Sequence, residues 1–132
     1  MSTPQSYLPS EFGIFHNAVG LYVVWPGTTT TAAPTDGDAR GNFLTLTRTG
    51  AGTYTAKTVD GYSRCITATG WVGLGTPAGQ WNVCVGTAVK NADNTWTIPF
   101  TVFNGASAAD IPVGAGNFGT FWALMSRDPL VP

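Results

Sequence analysis

The sequence predicts an all-β chain, an antiparallel β-sandwich or jelly roll of about eight strands. Three observations lead there. Apolar residues alternate with threonine over runs of strand length, most clearly from Thr95 to Phe103. No window shows a helical period with caps. Seventeen Gly and nine Pro interrupt nearly every segment long enough to attempt one. A length of 132 residues fits one domain, since a chain of this size buries roughly two thirds of its unfolded surface around one core.

Residues 1–10, with Pro4, Pro9 and small polar neighbours, read as an extended N-terminal arm that a neighbouring subunit would order. Residues 11–132 read as a single β-sandwich domain. Strands are expected at about 11–17, 20–26, 42–49, 52–59, 62–69, 80–89, 95–103 and 118–126, from alternation, from Thr, Val and aromatic content, and from bounding Gly, Asn, Asp and Pro.

The alternation assigns faces. Trp96, Ile98, Phe100 and Val102 share one side of their strand against Thr95, Thr97 and Thr101, with Pro99 marking an edge or a bulge. Trp81, Val83 and Val85 align in the same way, as do Leu44 with Leu46 and Tyr54 with Ala56. The run 118–126 differs: Phe118, Trp122 and Leu124 lie on one face, Phe121, Ala123 and Met125 on the other. That strand expects cover on both sides, from the middle of a sandwich or from a subunit contact.

Hairpin turns are expected at Thr49 to Gly52, Val59 to Gly61 and Asn91 to Asn94. Asp60 and Gly61 give the strongest short-loop signal, because a primed turn needs positive φ and glycine supplies it without steric cost. These links would make 42–69 a meander. The longer excursions 26–41, 70–79 and 104–116 suit crossings between sheets.

Composition narrows function. Only thirteen residues are Lys, Arg, Asp or Glu, 10% of the chain against about 25% in typical soluble domains. Surface hydroxyls, together with burial of neutral surface in an assembly, account for that shortage. The six basic and seven acidic residues are scattered singly, so nucleic acid is not an expected partner. No stretch approaches the ~20 apolar residues of a membrane span, so no membrane partner is expected. The start has no Lys or Arg before Arg40 and no long apolar core, unlike an export signal. Synthesis and assembly in a cytoplasm follow as the expectation. The same point favours reduced thiols at Cys65 and Cys84 over a bridge, which would need their strands to be neighbours.

Catalytic and metal chemistry lack equipment. His16 is the only histidine and Glu11 the only glutamate, and no nucleophile elbow surrounds any serine. One His with two Cys separated by eighteen intervening residues does not make a zinc site. Asp36 and Asp38 flank a glycine like the start of a calcium loop, yet residues 39–42 bring no terminal carboxylate, so a solvated turn is the better reading. Asp36, Asp38, Asp60, Asp93, Asp110 and Asp128 mostly sit in turn-like contexts, whereas glycoside cleavage wants two carboxyls across a cleft. No catalytic residue, cofactor or metal is expected, and the chain reads as no enzyme.

The sixteen aromatics are the richer resource, as subunit anchors or as a sugar-stacking platform. Trp81, Trp96 and Trp122 run in phase with apolar neighbours and are expected in the core. Trp71, between Gly70 and Gly75, and Trp25, before Pro26 and Gly27, are the candidates for exposure; each either packs over an end of the fold or meets a partner. With Tyr7 and Leu8 of the arm, they form the expected partner-binding set.

The chain as a whole resembles the small all-β virion structural proteins of tailed bacteriophages, meaning capsid decoration or cement proteins and the head domains of short fibres. The likeness rests on the Pro-containing arm, Phe12 to Phe15, Arg40 to Asn42 entering a strand, Thr49 to Tyr54, and Phe103 to Asp110 before a final aromatic strand. It implies a β-sandwich or jelly roll, often a homotrimer, bound to a capsid protein lattice at the virion surface. Decoration is favoured over a fibre head, because the chain has neither a heptad coiled coil nor a repetitive shaft. The alternative is a glycan- or host-receptor-binding head domain of a short fibre. An arm of this kind adds affinity through main-chain hydrogen bonds where charge is scarce.

Overall fold

A computed structural model describes residues 18–27, 40–42 and 44–127. The expected strand at 11–17, the arm with Tyr7 and Leu8, and His16, Glu11, Asp36, Asp38 and Asp128 lie outside the described residues. The fold is all-β, two antiparallel sheets packed as a sandwich. In order, the strands are β1 (Ala18–Pro26), β2 (Arg40–Asn42), β3 (Leu44–Gly50), β4 (Thr53–Thr58), β5 (Arg64–Gly73), β6 (Trp81–Val85), β7 (Val89–Lys90), β8 (Trp96–Asn104), β9 (Ser107–Ala108) and β10 (Phe118–Ser126). The first sheet has the order β2-β1-β10-β5. The second has β3-β4-β8-β6, with β7 and β9 also paired to β8.

Among the described residues stand ten segments, because two of the expected runs divide and a short β9 pairs with β8. The run 80–89 divides into β6 and β7, and Pro99 explains the break. Its carbonyl accepts the Gly86 N–H at 2.7 Å, so the side of Pro99 that lacks a donor faces the gap between β6 and β7 rather than a continuous ladder. The run 42–49 likewise divides, β2 pairing with β1 and β3 with β4.

Two of the three predicted hairpins form. Gly52 turns β3 into β4 at φ 67°, and Asn94, at φ 68°, closes the turn from β7 into β8. The meander over 42–69 does not form. β4 pairs with β8, while β5 crosses to the other sheet and pairs with β10. Asp60 and Gly61 therefore belong to a crossing. Thr58, 2% exposed, organises it: its hydroxyl donates to the Asp60 carbonyl at 2.8 Å and accepts the Trp96 N–H at 2.9 Å. The Tyr62 N–H then bonds the Asn94 carbonyl at 3.0 Å. A long-range partner for β4 outweighed a good local turn signal.

The core lies between the sheets. Leu21, Val23 and Trp25 of β1 and Phe121, Ala123 and Met125 of β10 face Leu44, Leu46, Tyr54, Ala56, Ile98, Phe100 and Val102. At its centre Phe100 stacks on Phe121 with centroids 4.3 Å apart and on Tyr54 at 5.3 Å, and Trp25 tilts against Tyr54 at 5.2 Å. Such ring pairs add about 0.5–1.5 kcal/mol each beyond the area they bury. Gly119 of β10 leaves the room that the Trp25 indole fills, since a side chain there would run into that ring.

Candidate partner-binding face

Strand parity decides what the first sheet shows to its outside. With Leu21, Val23 and Trp25 turned inward, β1 presents Gly20, Tyr22, Val24 and Pro26 outward. The ladders then fix five rows across β1, β10 and β5: Pro26, Phe118 and Gly73; Val24, Thr120 and Trp71; Tyr22, Trp122 and Thr69; Gly20, Leu124 and Thr67; and Ala18, Ser126 and Arg64. None of the twelve residues in the first four rows is charged, and β1 and β10 contain no charged residue anywhere in their length; Arg64 of β5, in the fifth row, and Arg40 of β2, in register with Val24, are the charged residues of this sheet.

Two of the aromatics stand well out, Trp71 at 51% and Tyr22 at 47% exposure. Phe118 lies across Gly73, where any side chain would strike the ring. Its edge meets Trp71 in a T-shaped contact, centroids 5.1 Å apart. On the other side of Phe118, a hollow of about 540 Å³ opens among Tyr22, Val24, Pro26, Gly116 and Asn117. The face thus carries a protruding indole and an apolar hollow, two strands apart.

The rim of the hollow is held by Asn117. Its Oδ1 accepts the Gly75 N–H at 2.9 Å, its Nδ2 donates to the Pro112 carbonyl at 3.0 Å, and its own carbonyl accepts the Gly27 N–H at 3.2 Å. The same connection is tied down earlier at Asp110. That carboxylate accepts Arg48 Nε at 3.0 Å and Nη2 at 2.6 Å, the Gly52 N–H at 2.9 Å and the Tyr54 hydroxyl at 3.3 Å. Burial alone would raise the Asp110 carboxyl, but the bonds from Arg48 and Gly52 outweigh it and hold it below the ordinary carboxylate range. Burial first, and then the Asp110 charge, push the Tyr54 phenol up to about 12; the nearby Trp25 N–H tempers the rise without reaching hydrogen-bond geometry.

The predicted residues fare unequally. Trp71 is exposed as expected, although it belongs to β5 rather than to a loop. Trp25 corrects the expectation: it is 1% exposed and sits among the core rings, because residue 25 keeps the inward phase of Leu21 and Val23. Trp122 is half-buried on the outer face, not in the core, and Trp81 and Trp96 are half-buried against its margin. Tyr22 and Phe118 were absent from the partner set. Compared with protein-family profiles, curated proteins and solved structures, the chain matches none of them.

Other features carry less. Cys65 and Cys84 are free thiols, and burial pushes the Cys65 thiol up. Among the described residues, the carboxylates weighed for catalysis are engaged structurally: Asp60 lies 3.5 Å from Arg127, Asp93 accepts the Thr95 N–H at 3.1 Å, and Asp110 holds Arg48. A second hollow, about 330 Å³, is lined by Lys90, Asp93 and Arg127 with Gly61, Tyr62, Ser63 and Asn94. Its mixed charges favour no ligand sign. The second sheet shows an outer face of Thr45, Thr47, Thr55, Lys57, Thr97 and Thr101, a hydroxylated surface that water wets well.

Proposed function

We propose that the chain is a non-enzymatic virion structural protein, a capsid decoration or cement protein that stabilises a capsid lattice as a homo-oligomer at the virion surface. The observation that carries this is the outer face of β1, β10 and β5, four of whose five rows carry no charge and which leaves Tyr22 and Trp71 half-exposed. Aromatic side chains of this kind anchor protein interfaces, because they bury large area at low conformational cost. The opposite, threonine-rich face is one that water wets well. On this reading the protein is assembled in a host cytoplasm and needs no cofactor.

The test is co-sedimentation of the purified protein with the capsid shells encoded beside its gene. Saturable binding that survives about 1 M salt supports the reading, because apolar and main-chain contacts are little screened. Protein that stays in the supernatant at every concentration refutes it. The second reading, a glycan- or receptor-binding fibre head, draws on the same Trp71 and hollow. It requires glycan-array signal that Trp71→Ala abolishes.

A further inference from the structure

The geometry points to a second copy of this chain as the occupant of the outer face, docked about a two-fold axis that runs along β10. This rests on the reading of the chain as a homo-oligomeric assembly module and gives that face to the contact between copies.

The argument is one of position. Trp71 and Val24 lie in the same row, on either side of Thr120. A two-fold rotation about an axis parallel to β10, lying between two facing sheets, carries β5 of one copy over β1 of the other without moving along the strand. The indole of Trp71 then arrives over Val24 of its partner, and Tyr22, Val24, Pro26 and Phe118 are what line the hollow. The same operation sends the partner's Trp71 into the first copy's hollow, the reciprocity that an isologous contact requires. One face holds both knob and socket, so a single face-to-face contact satisfies both. A trimer built head to tail would need them on different flanks.

Charge and area agree. The twelve residues of the first four rows carry no charge, and in the fifth row the operation sets Arg64 over Ala18 rather than over another cation. Three strands of nine or ten residues span roughly 30 Å by 14 Å, which with side-chain relief offers about 500–600 Å² per copy, the low end for a specific interface. The pairing is therefore concentration-dependent, in place of the trimer that the virion resemblance implies. Thr120, like Phe118, Trp122 and Leu124, lies on the axis and faces Thr120 of the partner subunit.

Light scattering after size exclusion, from about 1 to 100 µM, reads the mass. The native chain is expected to move from one copy to two. Trp71→Ala should raise the dissociation constant at least tenfold. Gly20→Arg should do the same by another route, because a side chain at Gly20 meets nothing within 4 Å of its own chain; an unchanged far-UV spectrum verifies its fold. In a background with Cys65 and Cys84 replaced by Ser, Thr120→Cys should cross-link to a dimer with a short bismaleimide, while Thr47→Cys on the opposite face should not.

A native chain that stays a single copy at 100 µM, forms trimers, or keeps its mass in both Trp71→Ala and Gly20→Arg overturns the inference. So does glycan binding at Trp71 without self-association. Co-sedimentation separates this from the decoration reading. A monomer that still binds shells ends the pairing alone, and a dimer that ignores shells ends the decoration reading alone.

Discussion

The Asp110 carboxylate grips the Arg48 guanidinium at two points, Oδ1 3.0 Å from Nε and Oδ2 2.6 Å from Nη2. It thereby fastens the connection leading to β10 onto β3. The side chains are 8% and 17% exposed for Arg48 and Asp110, so water competes little for either. Removing the carboxylate leaves a guanidinium and the Gly52 N–H short of an acceptor. Asp110→Ala is expected to destabilise the fold by roughly 2–3 kcal/mol, below the full cost of breaking a buried pair because the site is partly open. Urea unfolding at pH 7 measures it.

The same carboxylate gives an acid signature. Its folded pKa is depressed, so the unfolded chain takes up the proton first as pH falls. The contribution is complete above the ordinary Asp value, about pH 4, and is lost as pH falls through the depressed folded value. Between native and Asp110→Asn chains, the stability gap should be constant from neutrality to about pH 4.5 and shrink below it. A gap that widens in acid would contradict the sign.

Tyr54 gives the alkaline counterpart. Its phenol is held protonated to about pH 12, whereas an unfolded tyrosine ionises near pH 10. Between these values the folded state binds more protons, so stability falls as pH rises. Tyr54→Phe should cost about 1 kcal/mol at pH 7 for the lost bond to Asp110. Its stability should then fall less than that of the native chain between pH 10 and 12, as denaturant curves at each pH will show.

Trp25 and Trp71 should separate cleanly. Trp25→Ala opens a cavity among Tyr54, Phe100 and Ile111 and is expected to cost about 3–5 kcal/mol. Trp71→Ala, half-exposed on the outer face, should cost under about 1 kcal/mol in the monomer. Thermal unfolding at low protein concentration distinguishes the two.

That contrast shows what was legible in the residues. Alternation identified the inward face of β8 residue by residue and the double-sided character of β10, because period-2 phase is a local property. The shared phase of Leu21, Val23 and Trp25 is there to be read as well, but the place of Trp25 before Pro26 and Gly27 made it a candidate for exposure. The destination of β5 was not legible. Asp60 and Gly61 look the same in a hairpin and in a crossing, and only the demand of β8 for β4 decides between them. Tyr22 and Phe118 were missed for the same reason: the rows that join them to Trp71 exist only once β1, β10 and β5 lie side by side.

Asn117 lets the rim of the hollow be tested apart from its rings. Its side chain makes two bonds of opposite sense, accepting from the Gly75 N–H and donating to the Pro112 carbonyl, while the Gly27 N–H depends on its backbone alone. Asn117→Ala removes both side-chain bonds, for about 1 kcal/mol at an exposed site, and amide exchange should quicken at Gly75 but not at Gly27. Asn117→Asp keeps the acceptor and replaces the donor with a charge facing the Pro112 carbonyl. Gly75 should then stay protected while the 112–116 turn loosens and Asn117 no longer closes the hollow. If Gly75 exchanged equally fast in both variants, the rim would owe its shape to packing rather than to the Asn117 amide.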